Sequence, residues 1–210
     1  MNVDRHKVFI SYYHKDDQDY KDELINKQIF DTEKRQCKSI FEDYSVGDGD
    51  IDDIGMTAEQ IRRKIRDEYI KDATVLILLC GKNTKYRKHI DWEIHAAMYD
   101  SEVNRQMGII VINLPSISQG RRGNSEEEKN IISPYGNWTR LKNRSECERV
   151  YPFMPSRIID NFIKDIPIAV VDWDVINNNP EKLMKLIDIA YKRRFDFKYD
   201  HSRPLRRNNS

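Results

Sequence analysis

No charge of either sign dominates this 210-residue chain: 36 lysines and arginines stand against 35 aspartates and glutamates, a formal net charge of +1. Such a balance provides no global field that would draw the protein to nucleic acid or to an anionic membrane, and neither is expected as a partner. Long hydrophobic runs are missing too. None approaches the roughly 20 apolar residues of a membrane-spanning helix, and Met1-Asn2-Val3-Asp4-Arg5 has no apolar signal-peptide core, so a cytoplasmic location is expected. Cysteine is scarce. Cys37, Cys80 and Cys147 are far apart, odd in number and without CxxC, which reads as reduced thiols, and no base is singled out to make one a nucleophile. Neither GxGxxG nor GxxxxGK[ST] follows the first apolar run, which disfavours a phosphate-cradling nucleotide hydrolase.

What the chain does contain is a series of short apolar runs separated by amphipathic stretches. His6 to Tyr13 reads as the first strand. The polar His14-Lys15-Asp16-Asp17 then opens a helix with Asp16 or Asp17 as N-cap and Tyr20, Leu24, Ile25 and Ile29 at its apolar positions. Cys37 to Tyr44 is a weaker second strand, and Ser45 to Met56 is an acidic loop. Thr57 and Gln60 have capping-box spacing, followed by the stripe Ile61, Ile65 and Tyr69.

Ala73 to Cys80, bounded by Gly81, reads as a strand buried on both faces, and so does Met107 to Leu114. Between them Ile90, Ile94, Ala97 and Met98 mark a helix. Strands alternating with helices at this spacing imply right-handed βαβ units and a mostly parallel five-stranded sheet flanked by helices. From Ser116 to Asp165 the pattern fails. That segment reads as an insertion, packed on one edge, with short helices inside it. Ile166 to Trp173 resumes the sheet, with Pro167 favouring an edge or strand start. Pro180 opens a closing helix with Leu183, Leu186, Ile187 and Ala190 on one face. Residues 1–193 are thus expected to form one domain and 194–210 a basic, frayed tail. No internal repeat is present.

Ligands of a parallel open sheet bind beyond the carboxyl ends of its strands. That rule selects Ser11, Tyr12, Tyr13 and His14 after the first strand, Asp43 and Ser45 after the second, Gly81 to Thr84 after the third and Asn113 after the fourth. Glu93 follows the third of these loops and shares part of its helix's apolar face. A carboxylate there is costly to bury unless paired, so it either pairs locally with His89 or Lys88 or is held at a cleft for chemistry. A competing pattern places Asp48, Asp50, Asp52 and Glu59 at positions 1, 3, 5 and 12 of a calcium loop. Position 6 is Asp53 where Gly is needed, and Glu59 is more simply an acid in a helix first turn. No metal and no resident cofactor is expected.

Lys7-Val8-Phe9-Ile10-Ser11-Tyr12 resembles the first box of TIR domains. The turn Leu79-Cys80-Gly81-Lys82-Asn83-Thr84, followed by Trp92-Glu93-Ile94, resembles the third strand and glutamate-bearing helix of the TIR-like family that includes the ThsB proteins of bacterial Thoeris anti-phage systems. The likeness spans about residues 6 to 114. It implies a flavodoxin-like sheet and cleavage of NAD, as substrate, at the nicotinamide to ribose bond. The product would be a cyclic or conjugated ADP-ribose signal that activates a ThsA-like effector after a phage-derived trigger. The family's catalytic glutamate carries over to Glu93. Tyr12, Tyr13 or Trp92 would stack on a ring, and Asn113 would bind ribose hydroxyls. Self-assembly into a homo-oligomer also follows from the resemblance, although the Ser45 to Met56 loop is more acidic than in TIR domains. The 116–165 excursion, absent from small adaptor TIR domains, is where a trigger or partner would bind. The competing reading is a non-catalytic TIR-like interaction module that uses Asp48 to Asp53, with Glu93 salt-bridged.

Overall fold

The computed structural model describes residues 5–32, 35–45, 55–70, 72–102, 105–136, 138 and 140–209. β1 (Lys7–Ser11) leads into α1 (His14–Ile25). Tyr13, not Asp16 or Asp17, is the N-cap: its carbonyl accepts from both aspartate N–H groups, which places them in the first turn. The expected second strand, Cys37 to Tyr44, is split between a hairpin and the main sheet. β2 (Gln28–Asp31) and β3 (Gln36–Ser39) form a separate antiparallel hairpin, and Ile29 belongs to β2, not to α1. Buried Ile40 and Phe41 then carry the chain into the main sheet, where β4 is only Glu42–Asp43.

The capping box forms as read, Gln60 N donating to Thr57 Oγ1 and Thr57 N to Gln60 Oε1, and it starts α2 (Ala58–Lys64). A π-helical turn, Ile65–Tyr69, continues it; the side chain of Tyr69 lies outside the described residues. β5 (Val75–Cys80), α3 (Lys88–Met98) and β6 (Gly108–Asn113) follow, and every residue of both strands is buried. After α4 (Glu126–Ile132), α5 (Arg144–Val150) and α6 (Ser156–Ile163) come β7 (Ala169–Asp172), a short α7 (Trp173–Asn177) and α8 (Pro180–Arg193).

The main sheet has the order β4-β1-β5-β6-β7 with every neighbouring pair parallel, a flavodoxin-like arrangement. Alternation along each strand divides the core. Leu76, Leu78 and Cys80 of β5 join Ile109 and Val111 beneath α2, α3 and α6, while Val75, Ile77 and Leu79 join Ile110 and Ile112 beneath α1 and α8. Among the described residues no helix is long and apolar enough to cross a membrane.

Two expectations fail for identifiable reasons. The 116–165 excursion is not confined to one edge: Ile131 and Ile132 of α4 enter the α8 side of the core, and Cys147, Ile158, Ile159 and Phe162 of α5 and α6 enter the α3 side. A parallel β6–β7 pair requires a crossover over one sheet face, and α6 is part of it. Nor is the chain beyond Arg193 frayed. Tyr199 is buried and donates to Met107 O at 2.9 Å, Asp200 N donates to Asn161 Oδ1 at 2.8 Å, and Arg206 N donates to Asp91 Oδ2 at 3.0 Å. Its basic side chains read as solvated, but its backbone satisfies buried donors of the core.

Candidate active site at the carboxyl end of β1

The switch point of the sheet, where the order reverses on either side of β1, lies at Ser11. Ser11 is 1% exposed, and its Oγ donates to Glu93 Oε2 at 2.6 Å. Glu93 stands in the second turn of α3, and its neighbours hold that helix in register. Asp91 accepts from Arg157 Nε and Nη2 at 3.0 and 2.9 Å, with the Arg157 side chain wholly buried. Trp92 Nε1 donates to Arg206 O at 2.8 Å, and Ile94 is sealed in the core. At the far end Arg66 donates to the carbonyls of Ala96 and Tyr99, which satisfies helix-terminal acceptors.

Glu93, unlike Asp91, Trp92 and Ile94 around it, is only partly buried. Burial pushes its carboxyl up from an ordinary 4.5 to about 7, against the opposing pull of the Ser11 hydrogen bond. Among the described residues no cation forms an ion pair with it and Ser11 is its hydrogen-bond partner, so the pairing with Lys88 or His89 allowed by helix spacing is not made.

The residues after β1 divide by face. Tyr12 is buried on the α1 side, donates to Gln18 Oε1 at 2.7 Å and stacks on His14 at 4.3 Å between centroids. Tyr13 points to the α3 side, where the Arg87 guanidinium lies 4.0 Å from its ring centroid. His14 meets His89 edge-on at 6.4 Å. These contacts join the end of β1 to the start of α3. Ser45 closes the same corner from the β4 side, its Oγ accepting from Ile10 N at 2.9 Å. The acidic loop that leaves it, with Asp48, Asp50, Asp52 and Asp53, lies outside the described residues.

Three of the expected residues have other work. Trp92 is 2% exposed with its ring in the core and Lys88 Nζ 5.2 Å above it, so it presents no free face for stacking. Asn113 donates to Gly120 O and Asp172 Oδ1 and accepts from Gln119, which leaves its amide committed to the β6–β7 junction instead of to a ribose. Thr84 likewise accepts from Gly81 N and donates to Leu79 O, closing the turn from β5 to α3.

Asp17 was legible only as a cap. It is buried, its Oδ2 has no hydrogen-bond partner among the described residues, and burial, with Asp16 adding to it, raises its carboxyl to about 6 despite a Tyr13 backbone hydrogen bond. Gly81 is needed beside it, since a Cβ there would lie 2.8 Å from Asp17 Oδ1. Arg87, the N-cap of α3, is the other residue that reading from strand ends misses, because it stands at the far end of its loop.

A carboxyl that titrates near neutrality, oriented by a buried hydroxyl and reachable by solvent, can stabilise developing positive charge or exchange a proton at physiological pH. The model of the family described as Thoeris protein ThsB, TIR-like domain, matches residues 9–119, from β1 past Glu93 and β6. No curated protein and no solved structure matches the chain.

Proposed function

The chain belongs to the Thoeris ThsB TIR-like family, and from that premise we propose that it is an NAD-cleaving enzyme of anti-phage defence, with Glu93 as its catalytic residue. In this reading the bond between nicotinamide nitrogen and ribose C1′ breaks, its electron pair leaves with nicotinamide, and oxocarbenium character develops on the ribose. The Glu93 carboxylate faces that charge and stabilises it. A hydroxyl of the bound nucleotide or of another acceptor then bonds to C1′ and gives up its proton, which leaves a cyclic or conjugated ADP-ribose. Ser11 orients the carboxylate. Tyr13, the aromatic next to Ser11 that is not sealed in the core, is the stacking surface for nicotinamide or adenine, and Arg87 above it is the cation available to the pyrophosphate.

The observation that supports this reading best is the 2.6 Å contact of Ser11 with a partly exposed Glu93 that has no cationic partner among the described residues. A structural salt bridge, the alternative expected of a non-catalytic interaction module, is not formed there. The product would act in the cytoplasm on a ThsA-like effector once a phage-derived trigger engages the protein, with self-assembly of the chain completing the site.

Mass analysis of small molecules from phage-infected cells expressing wild type or Glu93→Gln tests the proposal. A new ADP-ribose species present with wild type and absent with the folded variant is the expected result; the same species at equal abundance in both refutes it.

A further inference from the structure

The 116–165 excursion walls a cavity of about 740 Å³ beside β7. The chain around Arg122 runs antiparallel to that edge strand, Arg122 and Val170 exchanging backbone hydrogen bonds of 3.0 and 2.8 Å. Gly120 in the same segment is pressed so closely on Val150 that a Cβ would stand 2.5 Å from Val150 Cγ1. None of Ser11, Tyr13, Arg87 and Glu93 lines the space.

Its lining carries five cations, Arg121, Arg122, Lys129, Arg140 and Arg193, and one carboxylate, Asp165, while just outside it Glu126 pairs with Lys129 at 2.7 Å and Asp172 stands 3.6 Å from Arg121. Asp165 pairs with Arg140 but stands 3.9 Å from Arg122, and Glu128 stands 3.8 Å from Arg193. Both of the longer contacts exceed hydrogen-bond distance; Arg122 spends Nε on Asn124 Oδ1 at 3.1 Å and Nη2 on Ile166 O at 3.3 Å, and its Nη1 has no hydrogen-bond acceptor among the described residues. Arg193 Nη1 and Asn124 Nδ2 are in fact buried donors with no acceptor among the described residues, a state proteins rarely leave uncompensated. Burial also lowers the pKa of Arg122, the mark of a cation stripped of water. The half-buried Trp138 indole forms a further wall, lying so close to residue 136 that only glycine fits: a Cβ would be 2.9 Å from Trp138 Cζ2. Unused cationic donors ask for a phosphate, the indole asks for a flat ring, and the volume falls in the range of small-molecule sites.

We propose that this cavity is a second binding site, for a nucleoside phosphate, with the phosphate held by Arg122, Lys129 and Arg193 and the base against Trp138. The assignment is independent of the chemistry at Glu93. It gives the excursion a role as a sensor of nucleotides, separate from the cleft at β1.

Calorimetric titration of the full chain with ADP, ribose 5-phosphate and adenosine tests it, with folding of each variant checked by circular dichroism. ADP is expected to bind at least about tenfold more tightly than either fragment. Arg193→Gln and Trp138→Ala should each weaken it about tenfold; Lys129→Gln replaces Arg193→Gln if that variant does not fold. No saturable ADP binding to wild type into the millimolar range overturns the proposal, as does ADP binding that neither a folded cation variant nor Trp138→Ala weakens. Ribose 5-phosphate binding as tightly as ADP overturns the place given to the base.

Discussion

Replacing Glu93 by glutamine should stabilise the protein in a pH-dependent way. The folded carboxyl titrates at about 7 and the unfolded one at its ordinary 4.5. Below pH 4.5 both are protonated and ionisation costs the fold nothing. As pH rises from 4.5 through 7 the unfolded chain releases its proton first, and stability falls until both states are ionised. With each pKa step worth about 1.4 kcal/mol, the full difference is about 3 kcal/mol, which contact with water trims to about 2 kcal/mol. Glutamine copies the shape of the protonated acid, still accepts from Ser11 and does not titrate. The melting temperature of Glu93→Gln should therefore exceed that of wild type by roughly 4–8 °C at pH 8, with the gap closing towards pH 4.5. Thermal unfolding followed by circular dichroism at several pH values reads this directly. A gap that does not change with pH, or one that widens as pH falls, would refute the strained-carboxylate account. A site that gives up stability to hold a reactive group is the usual compromise between stability and activity.

Other perturbations follow from the same contacts. Ser11→Ala removes the hydrogen bond that holds the Glu93 pKa down, so the rising limb of any nicotinamide-release profile should move to higher pH, with the fold retained. Asp91→Ala leaves the buried Arg157 guanidinium uncompensated and should cost about 3–5 kcal/mol in a urea titration. Hydrogen exchange should show the chain beyond Asp200 losing protection in that variant. Cys37 is exposed, while Cys80 and Cys147 are buried with their thiols pushed up, Cys80 to about 12; under native conditions a maleimide should label one thiol of three, and all three after denaturation.

The central strands are legible in the sequence because β5 and β6 are buried on both faces, which leaves short continuous apolar runs with no competing helical period. Glu93 is legible because it interrupts an apolar helix face, and Ser11 because it ends the first run. The hairpin of β2 and β3 is not, since its half-exposed residues make no run and Ile29 continues the period of α1. The packing of the C-terminal segment is hidden for a different reason: it is held through backbone atoms, which every sequence has, meeting Trp92, Arg157 and Asn161 from distant helices. Asn113 sits where a strand-end rule looks for ligand contacts and Trp92 where the family resemblance does, yet tertiary partners claim them. Proximity in the chain says which loop a residue is on, not whether its polar atoms are already satisfied.

The most direct test of Glu93 as the catalytic residue is nicotinamide formation from NAD in lysate of phage-infected cells, comparing wild type with Glu93→Gln at equal folded concentration. Nicotinamide release by wild type that falls to background in the variant is the result this account predicts. Release by the variant at the wild-type rate would contradict it.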